Sequence, residues 1–243
     1  MVREVFSSIH RRYDLLNRLF SLRRDVAWRR FAAGKMHFFR AHRLLDVATG
    51  TGDLAIETAR LHRNIGVVGV DFVRPMMEMA LMKLSRHRLS QRVLIVQADA
   101  LNLPFPDDHF DVVGIAFGIR NISERSAALA EMMRVAVPGG QVMVLEMHFP
   151  KSPFFSWFYR TYFVLVLPRA ARFFSRNPAA YHYLADSIAD FPTPKAFVDT
   201  MQATGLIGIE TYALSFGITH LYVGLKPEKA AEGTGAETRL GRR

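Results

Sequence analysis

The stretch Asp46-Val47-Ala48-Thr49-Gly50-Thr51-Gly52-Asp53 decides the fold of this chain. It continues a short apolar run at residues 44–48 and leads into an amphipathic run at residues 53–61. The two glycines therefore stand in a turn between a predicted strand and a predicted helix, where a ligand can approach the backbone closely. The stretch predicts an α/β fold with a ligand site at this turn. A tight turn without a ligand remains the alternative.

Short β-branched runs alternate with helical patterns downstream of this turn. Such alternation predicts a parallel sheet covered by helices on both faces, and near-continuous apolar strands indicate burial on both sides. Two late strands are expected to form a hairpin that closes one sheet edge. The predicted strands are residues 44–48, 66–70, 93–97, 111–116, 141–147, 207–213 and 220–225, and the predicted helices are residues 2–20, 27–39, 53–61, 75–86, 124–135 and 194–203.

The domain organisation follows from shifts in this pattern. Residues 1–226 are predicted to form a single domain, and the tail 227–243 is predicted to be disordered because it lacks an apolar period. Within the domain we expect an N-terminal helical arm at 1–42, a cofactor-binding core at 43–148, an aromatic-rich helical insert at 149–192, and a C-terminal helix with strands at 193–226.

Composition excludes several classes of protein. With 243 residues, 50% hydrophobic and 22% charged, the chain can bury one sizeable core and is neither collagen-like nor wholly disordered. The absence of cysteine excludes disulfides, thiolate metal sites and a cysteine nucleophile, and it suits a reducing compartment. The longest apolar run, residues 154–167, is short and carries Arg160, so we expect neither export nor a membrane span. The sequence predicts a cytoplasmic protein.

The charge of the chain points to an anionic partner. Lys and Arg number 32 against 22 acidic residues, which gives a formal charge of +10. This excess suits either nucleic acid or the inner face of the cell membrane, although the solvated faces of ordinary amphipathic helices produce similar patterns. Much of the excess lies in the predicted arm, interleaved with aromatic residues, at Arg11, Arg12, Arg18, Arg23, Arg24, Arg29, Arg30, Lys35, Arg40 and Arg43.

Acidic residues near the ends of the first three predicted strands indicate the charge of the ligand. Asp46 precedes the glycine turn and Asp53 follows it, so a phosphate there would be repelled. Asp71 is placed to accept ribose hydroxyls, and Asp99 can accept an adenine amino group. Each acid alone is also a common cap or turn residue. Taken as three strand-end acids in register, Asp46, Asp71 and Asp99 favour a nucleoside with a positive aminoacyl tail, which describes S-adenosyl-L-methionine.

Several further motifs give the chain a family resemblance. From about residue 2 to residue 226 it resembles the ubiquinone/menaquinone biosynthesis C-methyltransferase family. The matching stretches are Val5-Phe6, Tyr13 to Asn17, Asp46 to Asp53, Leu103 to Asp107, Phe117-Gly118-Ile119-Arg120-Asn121, Arg134 to Gly140, Tyr183 to Ile188 and Phe216-Gly217-Ile218. The first-quoted glycine stretch is typical of methyltransferases in general, whereas Phe117 to Asn121 and Tyr183 to Ile188 are typical of the narrower family.

The resemblance implies both a fold and an activity. The fold is a Rossmann-like seven-stranded class I methyltransferase sheet with helices on both faces, a helical arm before it and a helical insert after the fifth strand. The activity is transfer of a methyl group from S-adenosyl-L-methionine to a ring carbon of a polyprenyl hydroquinone. Demethylmenaquinol is the usual acceptor, and a benzoquinol precursor of ubiquinone remains open.

The resemblance and the residue pattern together give a cofactor-binding set. The resemblance places cofactor contacts on Thr51, Asp71, Asp99 and Ala100. Ala116 occupies a position where relatives commonly have serine, so a hydroxyl contact to the cofactor is absent there, and Tyr222 lies where a histidine is frequent. The full predicted set is Asp46, Gly50, Thr51, Gly52, Asp71, Asp99, Ala100 and Ala116.

The predicted catalytic residues are Arg120 and Asn121. The sulfonium methyl is already activated, so no metal and no covalent nucleophile is expected. The acceptor hydroxyl, with a pKa of about 10 like that of tyrosine, must lose or share its proton. We expect Arg120 to stabilise the ring oxyanion and Asn121 to orient that oxygen or a water. Alternatively, Arg120 pairs with an acid across the cleft and Asn121 caps a helix near Ser123. The general base stays open among Tyr13, Asp14, His148 and Tyr183.

Partners other than the quinol follow from charge and aromatic content. The insert concentrates aromatic rings around Arg160, which suits an interface or an isoprenoid channel, or else packing on the sheet. With the basic arm, it predicts transient, salt-sensitive contact with an anionic membrane surface. A nucleic-acid acceptor is disfavoured because residues 116–121 lack an Asn/Asp-Pro-Pro-aromatic motif and the chain lacks cysteine. A catalytically inactive binding module and a homo-oligomer remain open.

Overall fold

The computed structural model describes residues 18, 21, 23–148 and 186–228 of the chain. The predicted helix at 2–20 except Arg18, nearly all of the insert and the tail beyond residue 228 lie outside these residues. The elements are α1 (Arg24–Gly34), β1 (Arg43–Val47), α2 (Asp53–Leu61), β2 (Gly66–Asp71), α3 (Arg74–Arg86), β3 (Val93–Gln97), β4 (Phe110–Ala116), α4 (Arg125–Val135), β5 (Ala136–Met147), α5 (Pro194–Ala203), β6 (Ile207–Leu214) and β7 (Thr219–Leu225).

The seven strands form one sheet in the order β3-β2-β1-β4-β5-β7-β6. Strands β1 to β5 pair in parallel, and β7 pairs antiparallel with both β5 and β6. The predicted parallel sheet and its closing hairpin are therefore confirmed. None of the helices in the described ranges combines the length and the apolar character that a bilayer span requires.

Alternation along the central strands builds a core on each face of the sheet. In β1, Leu44 belongs to the cluster that packs beneath α1 and α2, whereas Leu45 belongs to the cluster beneath α4 and α5. Successive side chains of a strand point to opposite faces, so an apolar run such as this one must be covered on both sides. The site is thus built on strands that packing holds rigidly.

Helix α1 differs from the prediction at both ends. The apolar pattern predicts residues 27–39, but the helix begins at Arg24 and ends at Gly34. The Asp111 carboxylate accepts the backbone N–H groups of Phe39, Arg40, Ala41 and Arg43, and these bonds hold the following segment in an irregular path. A distant buried carboxylate therefore overrides the local helical period.

Strand β5 begins five residues before its predicted start, at Ala136 instead of Gln141. The Gly139 N–H donates to the Lys226 carbonyl and the Lys226 N–H donates to the Gly140 carbonyl, so the partner segment extends the ladder through this stretch. Pairing with a neighbouring chain segment again decides the boundary.

Helix α1 runs from the carboxyl edge of the parallel strands to their amino edge. Near its start, the Trp28 indole N–H donates to Ser215 Oγ at 2.9 Å, in the turn between β6 and β7. Beyond its end, the His37 N–H donates to the side chain of Gln141, near the amino end of the parallel part of β5. The first turn of α1 and the β6–β7 turn therefore lie side by side at the carboxyl edge.

Candidate active site

The candidate site lies where the strand order of the sheet reverses, between β1 and β4. Strands β2 and β3 extend to one side of this pair and β5 to the other, and ligands of open α/β sheets bind beyond the carboxyl ends at such a point. The residues that directly follow the two strands have positive φ, 50° at Ala48 and 59° at Phe117. Non-glycine residues held in this region cost free energy and concentrate at functional sites.

Glycine permits the two strand-end turns to approach each other. A Cβ on Gly118 would lie 2.9 Å from the Ala48 Cβ, closer than real Cβ atoms come, and 3.1 Å from the Ile115 side chain, which is a tight contact. Gly52 has φ 81° and begins α2 as its N-cap residue. Gly50 therefore brings the backbone of its turn into the cleft wall, and Gly118, just beyond the end of β4, also lines the cleft.

A cleft that opens to solvent lies between these turns. Its walls combine small and apolar side chains with two carboxylates. The lining residues are Ala48, Gly50, Val70, Asp71, Phe72, Val73, Met76, Ala98, Asp99, Ala100, Ala116, Phe117, Gly118, Asn121 and Ile122.

Asp71 and Asp99 are the carboxylates of the cleft. Asp71 ends β2 and is buried, and it accepts the Gly50 N–H and the Val73 N–H, each at 2.8 Å. Burial raises the pKa of Asp71 despite these bonds. Asp99 follows β3, is exposed in the cleft, and accepts the Leu101 N–H at 2.9 Å. Each carboxylate keeps lone pairs for further donors.

Asp46 does not lie in the row that the sequence predicts. It pairs in register with Gly69, two residues before Asp71, so the three acids do not end their strands together. Its side chain is only 1% exposed and is absent from the cleft lining. The Thr49 hydroxyl and the Ala55 N–H both donate to its Oδ2, at 2.6 and 3.1 Å. Asp46 therefore holds the glycine turn from beneath, and burial raises its pKa to about 7.

Thr51 and Gly52 also lie outside the cleft lining. Lys83 on α3 donates to Thr51 Oγ1 at 3.1 Å and to the Asp53 carboxylate. Arg29 lies 3.7 Å from the other oxygen of Asp53. Burial alone would raise the pKa of Asp53, but the two cations together lower it. Asp53 therefore stabilises the start of α2, and the glycine turn is anchored to both neighbouring helices.

The Arg120 guanidinium is buried and pairs with the fully buried Glu146 of β5. The pairing with an acid, one of the two sequence interpretations, is therefore present. The other oxygen of Glu146 accepts the Arg120 backbone N–H at 3.3 Å. The Nε–H of Arg120 has no hydrogen-bond partner among the described residues. A buried donor without a partner is costly. Arg120 itself is absent from the cleft lining, although its neighbour Asn121 is part of it.

Asn121 lines the cleft at the end of a short 3₁₀ turn, Ile119–Asn121. The alternative interpretation, in which Asn121 caps a helix near Ser123, is wrong. Helix α4 begins at Arg125, Glu124 occupies the N-cap position, and no side chain caps that end. The extended backbone at Ile122 separates Asn121 from the helix.

Glu146 is the polar residue that the sequence interpretation missed. A detectable signal existed, because it is the only acid in the apolar run 142–147 and acids are almost never fully buried without a partner. Nearby, the Tyr222 hydroxyl lies 2.7 Å from His148 Nε2, with both side chains buried. The candidate base His148 is thus close to Glu146 on the chain, although it is absent from the cleft lining. Tyr13, Asp14 and Tyr183 lie outside the described residues.

The hydrogen-bond acceptors of the cleft fit the donors of S-adenosyl-L-methionine. The ribose diol and the adenine amino group are donors, which suit Asp71 and Asp99, and the flat base suits the apolar side chains of Val73 and Ile122. The positively charged tail suits a carboxylate-lined site better than a phosphate does. The sheet order and this site define a class I S-adenosyl-L-methionine-dependent methyltransferase.

Comparisons with known proteins agree with this class. The model of the ubiE/COQ5 methyltransferase family matches residues 1–226, and the chain belongs to this family. It is 45% identical to demethylmenaquinone methyltransferase of Deinococcus radiodurans over 225 residues, which cover 93% of this chain and 92% of that protein. It is 43% identical to the ubiquinone/menaquinone biosynthesis C-methyltransferase of Geobacter sp. strain M21, covering 93% and 96%.

Solved structures show the same fold at lower sequence identity. A SAM-dependent methyltransferase of Thermotoga maritima superposes with a TM-score of 0.64 at 19% identity, covering 92% of this chain and 99% of that one. The predicted fold class is therefore confirmed, as are the family and the methyltransferase activity. The roles of individual site residues remain predictions.

Proposed function

We propose that this chain methylates a ring carbon of demethylmenaquinol, a polyprenyl naphthoquinol, in respiratory quinone biosynthesis. Membership of the ubiE/COQ5 family over residues 1–226 is the observation that carries the proposal. The relatives named above are a demethylmenaquinone methyltransferase and a ubiquinone/menaquinone methyltransferase, so a benzoquinol acceptor is the second arm of the test.

The cofactor would be held by the cleft. When bound, S-adenosyl-L-methionine supplies an activated methyl group, which explains why we expect no metal. Gly50 and the turn around it bring the backbone close to the ligand, and Asp71 and Asp99 accept hydrogen bonds from its polar groups. Ala100 and Ala116 leave room beside them, and Ala116 offers no hydroxyl. The shape of the turn is fixed by residues outside the cleft lining, namely Asp46, Thr51 and Gly52.

Arg120 and Asn121 would act on the acceptor. Deprotonation of the ring hydroxyl makes the neighbouring ring carbon nucleophilic, and we expect the Nε–H of Arg120 to donate to the resulting oxyanion. Glu146 holds the guanidinium in position through its other side. Asn121 in the cleft wall orients the ring oxygen or a water. What supports these roles is the buried, unsatisfied Nε–H together with the position of Asn121 in the cleft.

A lipid acceptor also requires access to a membrane. We expect transient contact with an anionic membrane surface at the cytoplasmic face, which the formal charge of +10 favours. The same charge would suit nucleic acid, but the proposed reaction needs none. A homo-oligomer stays a prediction that size measurement in solution tests.

The test of the function is a turnover assay on the purified full chain. Mass spectrometry would follow methylation of a short-chain demethylmenaquinol and of the corresponding benzoquinol, each with S-adenosyl-L-methionine. We expect a methylated naphthoquinol, and equal turnover in the presence of a chelator. Cofactor binding without methylation of either quinol would refute the proposal in favour of an inactive binding module, and methylation of RNA alone would refute it in favour of a nucleic-acid enzyme.

The test of Arg120 must separate catalysis from folding. Arg120→Met alone leaves Glu146 buried without its partner, which destabilises proteins by about 3–5 kcal/mol. The double variant Arg120→Met/Glu146→Gln removes both charges and is the matched comparison. We expect kcat to fall by about 10²–10³, with the cofactor Kd nearly unchanged, in the double variant. Wild-type turnover in that variant would remove the catalytic role.

A further inference from the structure

The turn between β6 and β7 holds an exposed phenylalanine in a strained backbone. Three consecutive residues have positive φ, 47° at Ser215, 60° at Phe216 and 85° at Gly217. The first two carry side chains, which disfavour this region. The Phe216 side chain is nevertheless 78% exposed, the largest exposure among the large apolar residues of the described chain. The turn thus presents an aromatic ring to solvent at the cost of backbone strain.

Exposed arginines lie beside this turn. Residues Arg18, Arg23 and Arg24 are all exposed at the start of α1, and the Arg23 N–H donates to the Arg18 carbonyl at 2.7 Å. Trp28, one helical turn after Arg24, joins the same end of the helix to the β6–β7 turn through its bond to Ser215. Aromatic and cationic groups therefore share one surface.

The structure separates these three cations from the rest of the basic arm. Arg29 is buried and donates to Asp25, and Arg30 pairs with Glu57. None of Arg18, Arg23 and Arg24 has an ion pair among the described residues. Arg23 and Arg24 therefore direct their charge at solvent, where it attracts anions, whereas the exposed Arg18 also helps to lower the pKa of Asp53.

This surface is linked to the candidate site through two buried aromatic rings. The Trp28 ring lies 6.1 Å from the ring of Phe117, and Phe117 lines the cleft. Val26, on the exposed side of the same first helical turn, adds a partly exposed apolar side chain. Cations around an aromatic tip, at the edge where the reaction takes place, complement an anionic lipid surface in both charge and polarity.

We propose that Arg18, Arg23, Arg24 and Phe216 form a docking surface for an anionic lipid bilayer. The inference rests on the proposed function, because a polyprenyl acceptor resides in the membrane. The arginines supply attraction to the headgroups and Phe216 enters the interface. Docking through this edge turns the cleft toward the lipid from which the acceptor comes.

The experiment measures binding of the full chain to vesicles by co-sedimentation. Vesicles of phosphatidylcholine alone are compared with vesicles that also contain phosphatidylglycerol. We expect Arg23→Ala/Arg24→Ala to weaken binding to the anionic vesicles about thirtyfold, because each arginine near the surface contributes about fivefold. Phe216→Gly should weaken it about tenfold, and glycine also suits the positive φ, so this variant keeps the turn.

Matched controls lie at the opposite edge of the sheet. Arg63→Ala/Arg86→Ala removes the same charge from two exposed positions, and Phe39→Ala removes an aromatic ring that is 51% exposed. Because only exposed charges within about a Debye length of the lipid contribute strongly, we expect these variants to weaken binding less than about threefold.

Turnover separates failure of the docking surface from failure of the proposed function. With a water-soluble short-chain quinol and no vesicles, all these variants should keep wild-type turnover. If the wild-type chain methylates that quinol but does not bind anionic vesicles, the docking surface is refuted and the proposed function stands. The docking surface would also be refuted if the control variants lost vesicle binding to the same extent. It would be refuted as well if Arg23→Ala/Arg24→Ala weakened binding to RNA but left binding to vesicles unchanged.

Discussion

Asp46→Asn is expected to stabilise the protein increasingly as the pH rises from 4 to 8. The Asp46 carboxyl is 1% exposed beneath the glycine turn, and burial raises its pKa to about 7. Both of its donors, the Thr49 hydroxyl and the Ala55 N–H, point at the same oxygen. The carbonyl oxygen of asparagine can replace that oxygen, so the substitution removes the titration and keeps both hydrogen bonds.

The size of the effect follows from the two pKa values of Asp46. The unfolded chain releases the proton near 3.8, whereas the folded protein holds it to about 7. Between these values the folded state binds the extra proton, so the wild-type free energy of unfolding falls as the pH rises and levels off above pH 7. Each unit of difference between the two pKa values corresponds to about 1.4 kcal/mol. The difference in the free energy of unfolding between Asp46→Asn and the wild type can therefore grow by at most about 4 kcal/mol.

The assay is urea unfolding of the wild type and the variant at several pH values. The relevant quantity is the difference between their free energies of unfolding, because other titrating groups are common to both. Thr49→Val serves as the control, since it removes a hydrogen bond from Asp46 and leaves the carboxyl in place. A difference that stays constant from pH 4 to 8, or that shrinks as the pH rises, would refute the argument from burial.

Three further changes test other parts of the site. Gly118→Ala should lower the free energy of unfolding by about 1–3 kcal/mol and weaken cofactor binding in calorimetry, because its Cβ would press on the neighbouring turn. Its control is Gly34→Ala, which should leave stability unchanged or raise it, because nothing lies within 4 Å of the added Cβ. Lys83→Met should lower the free energy of unfolding, measured in urea at pH 7, by about 1–3 kcal/mol. This loss should shrink as the pH falls through the lowered pKa of Asp53, because the protonated carboxyl no longer pairs with Lys83. Tyr222→Phe should lower the free energy of unfolding by about 1–3 kcal/mol, because it removes the hydroxyl that lies within hydrogen-bond distance of Nε2 of the buried His148.

The sheet could be predicted from the sequence because its strands are decided locally. The run at Val93–Gln97 and the helix at Asp53–Leu61 were predicted at their observed bounds. In each case the apolar period and the flanking turn residues agree with the final packing. The glycine turn at Gly50 is equally local, since it needs only a strand before it and a helix after it.

The exceptions depend on residues that are far apart in the chain. Asp111 ends α1 early by binding backbone groups some 70 residues before it, at positions such as Ala41. The depth of Asp46 depends on its register with Gly69, and a single residue of register decides which face and which level a side chain takes. A sequence pattern indicates that an acid is near the cleft, but not whether it lies in the cleft wall or below it.

Arg120 shows why the two sequence interpretations of one residue need not compete. A guanidinium has five N–H donors, so the pairing with Glu146 uses part of its capacity and leaves the Nε–H unsatisfied. The pair carries no net charge, which lowers the cost of burying the arginine before a substrate arrives. A fixed carboxylate also holds the guanidinium in one orientation, and catalysis by charge stabilisation depends on donors that do not reorganise during the reaction. In the proposed function, the acid that pairs with Arg120 is therefore a condition for catalysis and not an alternative to it.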